Sequence, residues 1–240
     1  MGNSIETATS NPLNHSFQTA LSSPHLLTPD EIAPNANEST QVNQLINSSF
    51  RRSKTPDPTK WDLVRSRFPS TTSLSEMLGT EGLMAVIYDN SDAEVKLTGN
   101  AKGKAVACAA AVPWKGGWES DGKDSDGGWE IKTVCVDGDP KYLRKGLALT
   151  VLAFLEKQLI EMELKRRVGA GTDDVGRRLK LWIQAAECIN GAYWKKRGYT
   201  EVKRKVYEKP TWGCLTNFEL VVGVREVELP SKGTAPVPGT

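Results

Sequence analysis

Histidine is almost missing from this sequence of 240 residues, whose two histidines, His15 and His25, both lie near the N-terminus. Cysteine is also scarce and scattered, because no two of its four cysteines form a CxxC pair. They are Cys108, Cys135, Cys188 and Cys214. The usual Cys/His spacing of a metal site is therefore absent, and we expect no bound metal. Widely spaced cysteines are typical of small core residues in a reducing compartment.

Long apolar runs and a strong net charge are also absent. No stretch of about 18 apolar residues occurs, so the sequence predicts no membrane span. The formal net charge of +2 is too small to indicate a nucleic-acid-binding protein. Basic residues do cluster at 165–167, 177–180 and 195–205. These clusters are either solvated faces of helices and strands or sites that recognise phosphate or an acidic ligand. We expect a cytoplasmic or nuclear protein.

The length and the hydrophobic content of 38% fit one domain with a sizeable core and flanking tails. Residues 1–16 are rich in Asn, Ser and Thr and are predicted to be a disordered tail, the domain spans 17–228, and 229–240 is a flexible C-terminal tail. Residues 113–128 hold five glycines and four acids, which predicts a flexible loop insertion. Its Trp114 and Trp118 either anchor a ligand or fold back onto the protein.

Helices and strands are predicted in mixed order. The capping pattern Thr28 to Glu31 precedes apolar residues at helical spacing up to Phe50. Two short helices are predicted at Trp61 to Phe68 and Thr72 to Leu78, and a third at Asn190 to Arg197. Apolar runs predict strands at 82–88, 104–112, 179–185, 200–207 and 216–227. This order predicts a three-layer α/β or α+β domain around a partly parallel sheet.

The most informative segment, residues 129–158, reads WEIKTVCVDGDPKYLRKGLALTVLAFLEKQ. It predicts a strand, a basic turn at Arg144 to Gly146, and an amphipathic helix. The helix carries an apolar stripe of Leu149, Leu152, Leu155, Leu159 and Met162. Because the first amides of a helix lack internal partners, a glycine-containing turn at this point is suited to bind an anion such as phosphate.

The turn resembles the acetyl-CoA site of the GNAT superfamily of N-acyltransferases, whose pattern is Q/R-x-x-G-x-G/A. Gly146 and Ala148 stand in its last two places, and Leu143 stands in the first. A second block, AAECINGAYWKKRGY at 185–199, resembles the second cofactor motif of that family. The resemblance extends from about Phe17 to Val227 and implies a single GNAT-like domain with a central mixed, strongly twisted sheet flanked by helices.

The resemblance also implies which residues bind acetyl-CoA. The strand backbone before the turn pairs with the pantetheine arm, the amides of the turn hold the pyrophosphate, and the second block supplies polar and aromatic contacts. These residues are Val134, Cys135, Val136, Arg144, Lys145, Gly146, Leu147, Ala148, Asn190 and Trp194.

Acyl transfer to an amine needs a base for the amine and an acid for the departing thiolate. Glu130 is the candidate base, on a strand face shared with Lys132, Val134 and Val136; alternatively it is a strand-edge glutamate paired with Lys132 or solvent. Tyr193 is the candidate acid because Trp194 occupies the usual tyrosine position. Alternatively, Tyr193 packs or contacts the cofactor, and water protonates the sulfur.

The sequence therefore predicts an N-acetyltransferase that moves an acetyl group from acetyl-CoA directly to a primary amine. The alternative is a catalytically inactive GNAT-like module that binds CoA or an acidic partner. The acceptor, a small molecule or a protein, is not readable from the sequence, and its selection is expected to lie in Val42 to Leu78 and the loop insertion. We expect a monomer or homodimer, with neither membrane nor nucleic acid as a partner.

Overall fold

The computed structural model describes residues 21–32, 37–91, 102–116, 127–170 and 178–230, without the side chains of 168–170. The predicted tail at 1–16, most of the predicted tail at 229–240, and the centre of the loop insertion at 117–126 lie outside the described residues. None of the described helices is long and apolar enough to cross a bilayer.

Seven strands form one open, mixed sheet in the order β1-β2-β3-β4-β5-β7-β6. Neighbouring strands are antiparallel except β4 and β5, which run parallel. Their bounds are β1 His25–Leu27, β2 Leu83–Asp89, β3 Lys104–Pro113, β4 Trp129–Val136, β5 Arg178–Ala186, β6 Thr200–Tyr207 and β7 Phe218–Glu228. The prediction of a mixed α/β fold is confirmed.

Helices cover both faces of the sheet. They are α1 Asn37–Lys54, α2 Thr71–Leu78, α3 Leu147–Ala170 and α4 Ala192–Lys195, the last preceded by a π-helical turn at Glu187–Gly191. One face packs on α3 through residues such as Leu155, and the other packs on α1 and α2 through Ile46 and Leu74. The domain therefore has three layers, as predicted.

Two predicted helical features are not helical. Asp62 accepts hydrogen bonds from the amides of Val64 and Arg65, and the segment from Trp61 to Phe68 is an irregular connection. At Thr28 to Glu31 the Glu31 carboxylate accepts from the Thr28 amide and hydroxyl, as a capping pattern predicts, but residues 29–32 form a turn rather than the start of a helix. Helix α1 begins later in the chain, at Asn37.

The buried stripe of α3 differs from the predicted one. Its core residues repeat every four positions from the start of the helix, at Leu147, Val151, Leu155 and Leu159. Leu149 and Met162, which the sequence placed in the stripe, are 50% and 38% exposed. The helix begins directly after Gly146, and this start sets which residues face the sheet.

The described ends of the loop insertion are attached to β5. The ring of Trp114 stacks on Trp182 with the centroids 4.7 Å apart and the planes at 6°. The Trp182 indole N–H donates to the Gly127 carbonyl at 2.8 Å. Trp114 therefore folds back onto the protein, whereas Trp118 lies outside the described residues.

A buried carboxylate joins the end of β2 to the turn before α3. Asp89 accepts hydrogen bonds from the Tyr142 hydroxyl at 2.5 Å and from the Ser91 amide and hydroxyl at 2.8 and 2.6 Å. The Lys141 ammonium lies 3.4 Å away. Tyr142 is fully buried, so this contact fixes one end of the basic turn.

We predict that this contact makes stability depend on pH. Burial raises the pKa of Asp89, but the hydrogen bonds from Ser91 and Tyr142 and the Lys141 charge outweigh it and hold the pKa below its usual range. A lowered folded-state pKa stabilises the protein above the unfolded carboxyl pKa of about 3.9, and the benefit is lost as the pH falls through the folded value. Wild type should exceed D89N by about 1–3 kcal/mol at pH 7 in the free energy of unfolding, and the gap should shrink below pH 4.

Urea unfolding at several pH values measures this difference. The exposed Glu81 provides the matched control, E81Q, whose stability should follow that of wild type at every pH. A gap between wild type and D89N that does not change with pH would contradict the prediction.

Candidate functional site

The parallel strands β4 and β5 separate soon after they start. They are paired only at Trp129 with Leu181 and at Glu130 with Trp182, although both strands continue further. A cavity of about 1070 Å³ opens at the gap and is lined by β4, β5, the π-helical turn, α4, the end of α1 and residues 210–212. Backbone groups left unpaired at such a gap are available to an extended ligand.

A β-bulge at Thr133 interrupts the alternation of side chains along β4. Thr133 has a left-handed backbone with φ of 49°. Across the bulge, Lys132 stands opposite Ala110 and Cys135 opposite Cys108, so that two residues of β4 face one residue of β3. An inserted residue of this kind moves the following side chains to the other face of the sheet.

The prediction that Glu130 shares its strand face with Val134 and Val136 is therefore wrong, because both residues follow the bulge. Glu130 and Lys132 share their face with Cys135, which the sequence placed on the opposite one. Val134 and Val136 instead pack on the face covered by α3. Cys135 is nevertheless a buried core residue, as predicted.

Glu130 lines the cavity and is held by two partners. Its Oε1 accepts a hydrogen bond from Gln184 Nε2 at 3.0 Å and lies 3.0 Å from Lys132 Nζ. Its side chain is only 9% exposed. It thus both pairs with Lys132 and faces the cavity. In the part of the chain that the structure describes, no group of three or more His, Cys, Asp or Glu side chains is placed to hold a metal.

Tyr193 and Trp194 have different surroundings although they are adjacent. Both border the cavity, but Trp194 also packs into the core, edge-on to Tyr199 at 5.1 Å between centroids. Burial raises the pKa of Tyr193, and the Arg197 guanidinium, 3.3 Å from the ring centroid, opposes this rise. Tyr193 is therefore a protonated hydroxyl at the cavity wall at neutral pH.

Several cavity-lining residues have a buried polar atom with no hydrogen-bond partner among the described residues. They include Arg67 Nε, Thr133 Oγ1, Asn190 Oδ1 and the Tyr193 hydroxyl. Because buried polar atoms are nearly always paired in native proteins, these groups are available to a polar ligand or to ordered water.

The basic turn has the conformation of an anion site. Arg144 and Gly146 both have left-handed backbones, with φ of 59° and 80°, and α3 begins at Leu147. Apart from the turn itself and the start of α3, no atom of the described residues lies within 4 Å of where a Cβ on Gly146 would be, so the space in front of the turn is open to them. Arg144 and Lys145 are exposed, Leu147 is in the core, and Ala148 borders the cavity. The turn therefore stands at the rim of the cavity.

The β4 edge is free over a shorter length than predicted. The Val136 carbonyl already accepts hydrogen bonds from Ser49 Oγ at 2.9 Å and from Arg52 at 2.6 Å. The backbone available to an extended ligand therefore centres on Val134, beside the bulge.

Backbone strain is concentrated at this site. Within the described ranges, the non-glycine residues with positive φ are Thr133, Arg144 and Trp212. Thr133 and Trp212 line the cavity, and Arg144 lies in the turn. Left-handed backbone at a β-branched residue is unfavourable and tends to be kept where function requires it.

The sequence did not identify the cationic and aromatic wall of the cavity. This wall comes from the end of α1, from the irregular connection after it and from residues 210–212. Its members include Arg52, Lys54, Trp61, Arg65, Arg67 and Trp212. The signal in the sequence was the presence of basic residues within Val42 to Leu78, the segment expected to select the acceptor.

The basic segment at 195–205, by contrast, is partly neutralised. Lys195 pairs with Glu187 at 2.9 Å, and Arg204 pairs with Glu201 at 2.6 Å and Glu219 at 2.5 Å. These pairs weaken the case for this face as a site for an acidic partner.

The sheet, with its splayed parallel strands and a glycine turn leading into a helix after the first of them, has the acyl-CoA N-acyltransferase fold. The chain is similar to a putative acetyltransferase from Acinetobacter baylyi, with 12% identity over 88% of this chain and 94% of that one and a TM-score of 0.53. This likeness supports the fold alone.

Two further solved structures are similar with TM-scores of 0.47. One is Arabidopsis thaliana NAA60 in complex with a bisubstrate analogue, 15% identical over 85% of this chain and 99% of that one. The other is spermidine N-acetyltransferase from Vibrio cholerae in complex with CoA and spermine, 12% identical over 85% and 95%. No protein-family model and no curated protein sequence matches the chain.

Proposed function

We propose that this protein is an N-acetyltransferase that transfers an acetyl group from acetyl-CoA directly to a primary amine. The observation that carries the proposal is the cavity between β4 and β5, because it brings a paired carboxylate, Glu130, together with a buried hydroxyl, Tyr193. The anion-binding turn at the rim and the fold support the same reading.

The residues around the cavity fit acetyl-CoA. The pyrophosphate would rest on the amides from Arg144 to Ala148, where the start of α3 supplies unpaired N–H groups. The pantetheine arm would lie along β4 at Val134, and the unpaired Asn190 Oδ1 would accept one of its N–H groups. When bound, acetyl-CoA supplies the activated thioester.

Glu130 and Tyr193 would move the two protons of the reaction. Glu130 takes a proton from the attacking amine, directly or through one water, while Lys132 and Gln184 hold the carboxylate in place. The C–N bond of the product would replace the C–S bond of the thioester, and the Tyr193 hydroxyl would donate its proton to the departing sulfur. Proton exchange with solvent then restores both side chains.

Calorimetry with acetyl-CoA tests the cofactor site. We expect saturable binding by wild type, and at least a tenfold weaker affinity for G146D, because a carboxylate would stand against the phosphates. A tenfold change corresponds to about 1.4 kcal/mol.

The matched control is G146N, which has nearly the same shape without the charge and tolerates a left-handed backbone similarly. The described residues leave room for either side chain at Gly146, and the backbone strain at φ 80° acts on both variants alike. The cofactor proposal fails if wild type does not bind at millimolar acetyl-CoA. Equal affinities of G146D and G146N would remove the turn from the phosphate site.

A further inference from the structure

The charge lining the cavity is strongly one-sided. The cationic side chains in the lining are Arg52, Lys54, Arg65, Arg67 and Lys132. Among the described residues, the one carboxylate in the lining is Glu130, which is engaged with Lys132. Asp62 lies close enough to influence Lys54, but its Oδ1 accepts from two backbone amides. The remaining cations are therefore not balanced by carboxylates of the lining.

Three of these cations bind backbone carbonyls. Arg52 donates to Val136, Lys54 donates to Trp212 at 2.7 Å, and Arg65 donates to Pro210 at 2.8 Å. These hydrogen bonds hold the side chains in position but leave their positive charge uncompensated.

Arg67 is the exception, because it has neither a hydrogen bond nor an ion pair to any residue that the structure describes. Its guanidinium carbon lies 5.4 to 5.7 Å from the ring centroids of Phe50, Phe68 and Trp212. The rings restrict the guanidinium, and its Nε is buried without a partner. A planar guanidinium presents paired N–H groups that match the oxygens of a carboxylate or phosphate.

The carboxylates nearest these cations, Glu130 for Arg67 and Asp62 for Lys54, do not offset the burial of the cations. Burial lowers the pKa of both Arg67 and Lys54, and the nearby charges of Arg67 and Arg65 lower the pKa of Lys54 further. An anion bound among these groups would relieve the repulsion and restore part of the lost solvation.

We infer that the acceptor amine carries an anionic group, a carboxylate or a phosphate, which binds Arg67 while the amine lies at Glu130. This inference rests on the proposed acetyl transfer. A small molecule suits the site, because Glu130 and Arg67 line the same cavity of about 1070 Å³.

The phosphates of the cofactor are assigned to a different place. The basic turn follows the far end of β4, and residues 144–147 do not line the cavity. Arg67 lies between α1 and α2, beside Glu130 and Cys135 at the face beyond the gap. An anionic group bound at Arg67 could belong to the acceptor or to the cofactor, and the variants below distinguish the two.

Matched pairs of amines test the inference. β-Alanine is compared with β-alaninamide, and O-phosphoethanolamine with ethanolamine, by following release of free CoA thiol. For wild type we expect kcat/KM to be at least tenfold higher for the anionic member of a pair. In R67M this preference should fall to about twofold or less, and R67K should retain part of it. The exposed α1 residue Arg51 supplies the control R51M, which should keep the full preference.

Equal turnover of the anionic and neutral members by wild type would overturn the inference. A loss of acetyl-CoA affinity in R67M as large as its loss of kcat/KM would assign Arg67 to the cofactor instead, and would also overturn it. Thermal unfolding verifies that R67M is folded.

A second measurement keeps the inference testable if no amine in the panel is acetylated. Inorganic phosphate and succinate are titrated calorimetrically into the cofactor-free wild type and R67M. Binding by wild type that is at least tenfold weaker in R67M supports an anion site, and absence of binding to wild type overturns it. Failure of acetyl-CoA to bind, in contrast, rejects the proposed function without affecting this titration.

Discussion

Replacing Glu130 with glutamine is expected to lower kcat for acetyl transfer about 10³-fold while the Kd for acetyl-CoA stays within twofold of wild type. The amide keeps the shape of the side chain and still accepts from Gln184, but it cannot take a proton from the amine. Steady-state kinetics with a saturating amine, together with calorimetry for the cofactor, measures the two effects separately.

The control for this substitution is E76Q, at an exposed glutamate of α2 outside the cavity lining. If E130Q retains kcat within fivefold of wild type, Glu130 is an ion-pair partner of Lys132 rather than the base. In that case the substitution should show its effect in the melting temperature instead of the rate.

Replacing Tyr193 with phenylalanine is expected to lower kcat about 10²-fold with little change in stability. The stability prediction follows because the hydroxyl is buried without a hydrogen-bond partner among the described residues, so its removal breaks no bond within the protein. Activity and thermal unfolding measured on the same preparation would separate a catalytic role from packing.

Tyr199 provides the matched control, because it is a buried tyrosine near the end of α4 that does not line the cavity. Y199F should keep its rate. Full activity of Y193F would instead mean that water protonates the sulfur, as the sequence interpretation left open.

The turn and the start of α3 could be predicted because local chemistry determines both. A glycine reaches the left-handed backbone without strain, and the residues after it have clear helical periodicity. The face of Glu130 could not be predicted beyond Thr133. The segment TVCV continues the alternation of a regular strand, and neither glycine nor proline marks the bulge.

The cationic wall was missed for a different reason. Between Trp61 and Phe68 the apolar spacing is compatible with a helix, and only the structure reveals that Asp62 binds the amides that a helix would use. The same wall needs Trp212, which is about 145 residues distant along the chain from Arg67. The contact between Arg67 and Trp212 depends on the path of the connection between β6 and β7, and no local sequence pattern predicts a contact over this distance along the chain.

The short pairing between β4 and β5 has a consequence for the protein as a whole. With two paired positions, this seam joins the half-sheet β1–β4 to the half-sheet β5–β7. The backbone groups that would lengthen the seam are the same groups that a ligand in the gap would use. The same strand edge can therefore pair β4 with β5 or bind a ligand, but it cannot do both. A variant in which the two strands paired over a longer length would be more rigid and would lose the site.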